Sequence, residues 1–308
     1  GLYLGRGPDR RGRIELSNLD LPRAVYADTK PVLRVIAPAA SRALLEPRSA
    51  MSHKGLNGKV LVVGGGPAMA GAVRLAAEAA LRAGAGLVYA AVHPASVIPV
   101  TAGRPEIICR GVESVAEFAD WLEAADVIVL GPGLGRSPWS HELASAVLGT
   151  ERPLVVDADG LNYVAENPVK RGDWVVTPHP AEAGRLLQRS TAAVQADRAA
   201  AVNELADRTG AIAVLKGACS LVAQTSDAKD SIPAVCDAGN PGMATAGMGD
   251  VLAGCIGGLI AQFGLSAATV ETAVAVHALA GDDAAAAGER GLIASDLLPF
   301  IRRRVNRA

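Results

Sequence analysis

Residues 240–250 read NPGMATAGMGD and carry one charged side chain, Asp250, directly before the apolar stretch VLAGCIGGLIAQ. Gly247 and Gly249 leave the backbone amides around Met248 open to approach. If a helix begins near Asp250, these amides and the positive helix terminus form an anion hole suited to phosphate oxygens. Asp250 is then either an N-cap, for which Asp is favoured, or a general base that deprotonates a hydroxyl while the anion hole holds a phosphoryl group.

Five apolar runs end in glycine, proline or a side chain capable of chemistry. KVLVV is followed by GGGP, DVIVL by GPGLG, PLVV by DADG, WVV by TPHP and AIAVL by KG. In open parallel sheets, ligands bind outside the carboxyl ends of the strands. Together with the loop at 240–250, these endings predict a site for a large polyanionic ligand.

Two common nucleotide-binding motifs are not matched. A P-loop needs Lys after its last glycine, but Ala72 follows Gly71. A dinucleotide fingerprint needs a third glycine where Met69 follows Gly64 and Gly66, and it needs an acid after the next strand, which ends in AAVHP. The cofactor of a usual Rossmann dehydrogenase is therefore not expected here.

From about residue 51 onward, short apolar runs alternate with Ala-rich helical stretches. The runs KVLVV, LVYAAV, DVIVL, PLVVDA, WVVTP and AIAVLKG are continuously apolar, as expected of parallel strands covered on both faces by helices. We therefore predict one α/β domain over 51–308 with a mostly parallel central sheet. SLVAQ and PAVCD predict a hairpin or edge pair, and helices are predicted at 249–263, 266–288 and 293–305.

The first 50 residues differ from the rest of the chain. GRGPDRRGR is basic and Gly-rich, as in a loop, and RIELSNLDLP predicts one strand with a turn. Residues 31–47 carry an apolar stripe that suits a helix docked on the domain or on a neighbouring subunit. The arm 1–50 is either a flexible extension or the end of a preceding domain.

The composition argues against several functions. A net charge of −1 offers no field for nucleic acid or an anionic membrane, and three Trp, four Tyr and three Phe are too few for base-stacking platforms. No apolar run reaches the roughly 18–20 residues of a membrane span. The four cysteines form no close pairs, which favours a reducing cytoplasm over disulfides or a zinc site.

Seven motifs occur together in an order typical of one family. They are SHKG (52–55), GGGPAMAGA (64–72), GPGLG (131–135), DADGLN (157–162), TPHPAE (177–182), KGA (216–218) and NPGMATAGMGDVLAG (240–254). Over 52–308 the chain thus resembles NAD(P)H-hydrate dehydratase, the carbohydrate-kinase-like member of the ribokinase-like superfamily. Residues 1–25 look like the last part of the NAD(P)H-hydrate epimerase domain of bifunctional bacterial proteins, so the chain is expected to lack most of that domain.

The resemblance implies a nicotinamide-repair lyase. In the family, ADP or ATP phosphorylates the ring hydroxyl of hydrated NADH or NADPH with the help of Mg²⁺, and loss of phosphate restores the cofactor. Asp250 would be the base, the amides of 247–249 would hold the phosphoryl group, and catalysis would rest on positioning and charge stabilisation. The resemblance also favours a cytoplasmic homo-oligomer, with a tetramer preferred.

The resemblance carries individual contacts over by motif. The hydrate would contact Ala72, Gly135, His179 and Asp250. The adenine nucleotide would contact Lys216, Gly217, Ala218, Cys219, Ser220 and Gly249. Asp157 and Asp159 are candidates to help hold Mg²⁺ through waters, although both also suit turn or helix-cap positions. Plain alternatives are close packing for the small residues, a solvated loop for His179 and an exposed strand end for Lys216.

Two departures from the family pattern bear on the nucleotide. Met248 stands where Ser is frequent, and KGACS stands where KGAHT is common, so that Cys219 and Ser220 replace larger side chains. Two other functions stay open: a vitamin-precursor or sugar kinase of the same fold, and a nucleotide-binding module without catalysis. A kinase would accumulate a phosphorylated product, whereas a dehydratase would release free phosphate.

Overall fold

A single ten-stranded sheet organises the chain. The computed structural model describes residues 1–26, 29–37, 43–228 and 231–306. In chain order the strands are β1 Arg34–Val35, β2 Lys59–Gly64, β3 Leu87–Val92, β4 Ile107–Gly111, β5 Val127–Leu130, β6 Leu154–Val156, β7 Trp174–Val176, β8 Ile212–Leu215, β9 Leu221–Ala223 and β10 Ala234–Val235. Across the sheet their order is β1-β10-β9-β8-β7-β6-β5-β2-β3-β4.

The seven neighbouring strands from β8 to β4 all run parallel. β9 is antiparallel to both β8 and β10, so SLVAQ and PAVCD pair as predicted, although β1 and not β10 forms that edge of the sheet. The predicted mostly parallel α/β sheet is confirmed. Because the carboxyl ends of parallel strands share one edge, the turns after β2, β5, β6, β7 and β8 meet there.

Helices cover both faces of this sheet. They are α1 Gly7–Arg10, α2 Ala70–Ala83, α3 Val97–Thr101, α4 Ala119–Ala124, α5 Pro138–Leu148, α6 Ala158–Glu166, α7 Pro180–Leu187, α8 Thr191–Ala196, α9 Arg198–Thr209, α10 Met248–Phe263, α11 Ala267–Ala284 and α12 Leu297–Arg304. Along β2, Val60 and Val62 face one core cluster while Leu61 and Val63 face the other, which explains the continuously apolar run. In the described part of the chain, no helix has the length and apolar character needed to cross a membrane.

The N-terminal arm departs from expectation in three places. GRGPDRRGR contains the short helix α1 instead of only a loop, and the strand expected in RIELSNLDLP is wrong, because no strand forms there among the described residues. Within 31–47, the pair Arg34–Val35 forms strand β1 beside β10, while residues 38–42 of the expected helix lie outside the described ranges. The boundary at 50/51 stays a prediction, although the sheet extends into the arm.

Candidate active site

Asp250 lies in the first turn of α10, not at its cap. The N-cap is Gly247, which has a φ of +89° and makes no side-chain cap, so the alternative role of Asp250 as an N-cap is wrong. The positive φ of Gly247 favours glycine there, and an added Cβ would lie 2.6 Å from Leu75 Cδ1, so the Leu75 side chain would have to shift. The tight entry to the helix leaves the Asp250 side chain half-buried at the carboxyl edge of the sheet.

The amides at the start of α10 are available to a ligand. The first backbone donation into the helix runs from Val251 N to Gly247 O at 3.0 Å, and the amides of Met248 and Gly249 donate to no other residue in the described ranges. His277 on α11 fixes this turn through a 3.0 Å bond between its Nε2 and the Met248 carbonyl. Burial lowers the pKa of His277 to about 4, so the neutral ring donates this bond.

The pKa of the Asp250 carboxyl group is raised to about 7. Burial is the largest cause, the charge of Asp157 is the next, and the Lys216 ammonium partly opposes both. A carboxyl group that titrates near neutrality in a cleft is well suited to accept a proton.

Lys216 and Asp157 form a buried ion pair beside Asp250. They follow β8 and β6, and Lys216 Nζ lies 2.5 Å from Asp157 Oδ1. An exposed strand end is therefore wrong for Lys216, whose side chain is 17% exposed. Burial alone would lower the pKa of Lys216, but Asp157 and Glu182 outweigh it and the pKa is raised, so Lys216 stays protonated. A Cβ added to Gly249 would lie 3.1 Å from Lys216 Nζ, which places this ammonium against the predicted anion hole.

His179 caps α7 and is tied to Glu182. The His179 Nδ1 accepts a 3.1 Å bond from Ala181 N, while the His179 backbone amide donates to Glu182 Oε2 at 2.8 Å. The pKa of His179 is lowered, first by burial and then by Lys216, so the ring is neutral at pH 7 with its proton on Nε2. His179 is thus held in a capping box and is not simply a solvated loop residue.

Glu182 is a site residue that the sequence did not predict, although it ends the motif TPHPAE. The structure buries its carboxylate, with Oε2 lying 3.9 Å from Lys216 Nζ, and burial raises its pKa. The signal was present: an acid at the third helical position after a strand end, with histidine at the cap. Glu182 connects the predicted hydrate contact His179 to the lysine of the predicted nucleotide segment.

Ala72 lies in the first turn of α2, Gly135 lies in the turn that follows β5, and these two segments contact each other. Gly66 N donates to Gly133 O at 2.7 Å, and a Cβ on Gly133 would lie 3.1 Å from Ala72 Cβ. Gly135 has a φ of +79°, and its amide donates to Asp159 Oδ2 at 2.8 Å. The structure therefore brings the two predicted hydrate contacts onto adjoining turns and assigns Asp159 to holding one of them.

The loop 216–220 connects β8 to β9 with mixed exposure. Gly217 and Ala218 are exposed, whereas Cys219 is buried with a φ of +55°. Ser220 Oγ donates to Gly217 O at 3.2 Å and so closes the loop on itself. A nucleotide bound along this loop would contact mostly backbone atoms. The small side chains at 219 and 220 would therefore remove few contacts with it.

The predicted Mg²⁺ ligands are already engaged by the protein. Asp157 pairs with Lys216, and the two Asp159 oxygens accept bonds from Gly135 N and Asn162 Nδ2. The described ranges contain no group of three or more His, Cys, Asp or Glu side chains placed to hold a metal ion. These residues do not fit a metal site built by the protein alone. That Asp157 and Asp159 help hold Mg²⁺ through waters, together with phosphate oxygens of the nucleotide, stays a prediction.

The sheet, its flanking helices and the carboxylate at the mouth of α10 define a ribokinase-like α/β protein. A crystal structure of a ribokinase-like superfamily protein from Enterococcus faecalis is similar, with a TM-score of 0.81 and 28% identity, over 89% of this chain and 95% of that one. The chain belongs to the NAD(P)H-hydrate dehydratase family, whose profile matches residues 60–303. The fold and enzyme family expected from the sequence are confirmed.

Two further relatives are similar to the chain. The bifunctional NAD(P)H-hydrate repair enzyme Nnr of Coxiella burnetii is 46% identical over 311 residues, covering 99% of this chain and 62% of that protein. The ADP/ATP-dependent NAD(P)H-hydrate dehydratase of Bacillus subtilis, co-crystallized with ATP/Mg²⁺, has a TM-score of 0.77 and 25% identity, over 88% of this chain and 97% of that one. The chain spans about three fifths of the length of the curated relatives it matches.

Proposed function

We propose that this chain dehydrates the hydrated forms of NADH and NADPH at the expense of ADP or ATP. The observation that carries the proposal is Asp250: a carboxyl group with a pKa of about 7, set between free helix-terminal amides and a buried lysine. This arrangement provides a base and a phosphate-binding site at one point, which phosphoryl transfer to a hydroxyl requires. Membership of the NAD(P)H-hydrate dehydratase family supports the substrate.

The proposed reaction has two stages. Asp250 takes the proton of the ring hydroxyl, and the hydroxyl oxygen attacks the terminal phosphoryl group of the nucleotide. The rest of the nucleotide is the leaving group: AMP from ADP, or ADP from ATP. The amides of Gly247, Met248 and Gly249 and the Lys216 ammonium stabilise the charge on the transferred group. The ring C–O bond then breaks, phosphate leaves with the bonding electrons, and a proton is lost from the adjacent ring carbon to restore the double bond.

The positions proposed for the ligands follow from the same edge of the sheet. The hydrate would lie along Ala72, Gly135 and His179, and the nucleotide along 216–220 and Gly249. Asp157 keeps Lys216 in place, Asp159 holds the Gly135 amide, and Glu182 holds His179. The Bacillus subtilis relative is an ADP/ATP-dependent enzyme co-crystallized with ATP/Mg²⁺, which supports ADP or ATP as donor here, with Mg²⁺ accompanying the phosphates.

The partners and location of the whole protein are also proposed. Curated relatives described as bifunctional support an epimerase domain as partner in the full-length chain. A homo-oligomer, with a tetramer preferred, and a cytoplasmic location are proposed from the family resemblance.

The test is incubation of the protein with hydrated NADH and ADP, and separately with ATP, while absorbance at the NADH band and free phosphate are followed. We expect NADH and free phosphate to form in equal molar amounts. A phosphorylated dinucleotide that accumulates without free phosphate would instead identify a small-molecule kinase. Nucleotide binding with no turnover of either hydrate would identify a non-catalytic module.

A further inference from the structure

Arg198, the first residue of α9, lies beneath the predicted nucleotide loop and holds its carbonyl groups. Its Nη1 donates to Ala218 O at 2.6 Å, and its Nη2 donates to Leu215 O at 3.2 Å and to Lys216 O at 3.3 Å. The residue is only 5% exposed. One guanidinium therefore fixes three carbonyls on both sides of Gly217.

The charge of Arg198 is not neutralised by a neighbouring acid. In the part of the chain that the structure describes, Arg198 bonds to backbone carbonyls and forms no ion pair with a carboxylate, and its Nε has no hydrogen-bond partner. Burial lowers the pKa of Arg198, but a guanidinium stays charged at neutral pH. A buried cation without a counterion leaves a positive potential under the loop.

The loop is polarised by this arrangement. The carbonyls of Lys216 and Ala218 accept from Arg198, whereas the amides of Gly217, Ala218 and Cys219 donate no bond to another residue in the described ranges. Gly217 has a φ of +144°, and a Cβ there would lie 3.1 Å from Arg198 Nη2, so only glycine lets the backbone close over the guanidinium. Free amides above a buried cation make a surface that favours acceptor-rich, anionic ligands.

We propose that Arg198 is a positioning residue for the phosphoryl donor: it turns the amides of 217–219 toward the phosphate groups of a nucleoside di- or triphosphate. The inference rests on the proposed function, because it takes 216–220 as the nucleotide loop. Arg198 itself does not touch the nucleotide and takes no part in the proton or phosphoryl transfer. Its contribution is the shape of the loop and the charge beneath it.

The test compares Arg198→Met and Arg198→Lys with the unmodified protein by calorimetric titration of ADP and by steady-state kinetics. Arg198→Met removes both charge and donors, so we expect its Kd for ADP to rise about tenfold or more. Arg198→Lys keeps the charge with fewer donors and is expected to fall between the two. The kcat at saturating ADP and the KM for hydrated NADH should stay within about twofold, because the hydrate contacts lie on other turns.

Arg208→Gln is the matched control, since Arg208 lies at the other end of α9 and bonds to the Leu187 carbonyl. It should leave ADP binding unchanged. The salt dependence of ADP affinity should also weaken in Arg198→Met and persist in Arg198→Lys.

The outcomes distinguish a failure of this inference from a failure of the proposed function. If folded Arg198→Met and Arg198→Lys bind ADP as the unmodified protein does, or if ADP and hydrate affinities fall equally, the inference is wrong. If Arg198→Met does not fold, Arg198→Lys alone decides by the same criterion. An unmodified protein that binds neither ADP nor ATP would contradict the proposed function instead.

Discussion

At the scale of single residues, the reactivity of the site depends on the carboxyl group of Asp250. Its replacement by Asn keeps the shape of the side chain and removes the ability to take a proton. We expect Asp250→Asn to lose a factor of about 10²–10⁴ in turnover, the usual contribution of a general base. The Kd for ADP, measured by titration, should stay nearly unchanged. Turnover close to that of the unmodified protein would remove Asp250 from the mechanism.

The same carboxyl group sets the pH dependence. Because Asp250 acts only when ionised and its pKa is raised to about 7, kcat/KM should rise with pH through about 7 and then level off. Asp157 is the second-largest cause of the shift, so Asp157→Asn should move the midpoint to lower pH. The exposed Asp120→Asn, far along the chain in α4, serves as control and should leave the profile in place. A midpoint near 4 in the unmodified protein would contradict the raised pKa.

Asp250 should also lower the stability of the fold. The pKa of Asp250 is higher in the folded than in the unfolded state. Its contribution to the free energy of unfolding is therefore complete below pH 4 and is lost as the pH rises through about 7. Asn does not ionise, and we expect Asp250→Asn to be more stable than the unmodified protein at pH 8, by on the order of 2–4 kcal/mol. Urea unfolding at pH 8 and pH 4 measures this, and the difference should vanish at pH 4. A variant that is less stable at pH 8 would mean that the carboxylate forms a compensating contact.

At the scale of elements, the first turn of α10 requires a residue without a side chain. Gly247 has a positive φ that would strain a larger residue, whereas Gly249 faces Lys216 and Asp157 directly. The side chain introduced by Gly249→Val would push against the Lys216 ammonium at about the position proposed for the phosphate. We expect Gly249→Val to weaken ADP binding and turnover together, by about tenfold or more. Gly172→Val, at a position with open space around it, is the control. Unchanged ADP affinity would place the phosphates elsewhere.

The sequence predicted the elements better than it predicted their contacts. Six continuously apolar runs, together with the predicted pair SLVAQ and PAVCD, located eight strands, but β4 and β1 were missed: β4 is only partly buried and β1 has two residues. The string at 240–250 identified Asp250 as a candidate because glycines and a lone acid are visible in the sequence. The pair of Lys216 with Asp157, separated by 59 positions, depends on the order of β6, β7 and β8 in the sheet, which local patterns do not specify. The contacts of Arg198 and Glu182 also depend on the strand order and could not be predicted from local patterns.

At the scale of the whole molecule, the arm is the part whose contribution differs most from the expectation. Strand β1 pairs with β10, and Arg34 binds the two oxygens of Glu271 on α11. Ile36 and Leu45 are 7% and 8% exposed and belong to the core cluster on that face. By contrast, Leu16 and Leu19 are 97% and 78% exposed, so their side chains contribute little hydrophobic stabilisation to the fold. The buried apolar side chains of the arm therefore lie after residue 30, while Tyr3 and Leu4 pack, partly buried, against the other core cluster.

Two truncations test this division of the arm. Removing residues 1–28 should change the melting temperature little, whereas removing 1–45 also deletes β1, Ile36 and Leu45. Burying each of these two side chains is worth about 1.5–3 kcal/mol, and 1 kcal/mol shifts the melting temperature of a large domain by about 2–4 °C. We therefore expect the longer deletion to melt several degrees earlier, and Leu45→Ala in the full chain to reproduce part of that loss. Equal melting of both truncated proteins and the full chain would put the domain boundary back at 50/51. Early melting of the shorter deletion would instead assign the contacts of residues 1–28, including the 3.7 Å contact from Arg11 to Cys219, to the stability of the domain.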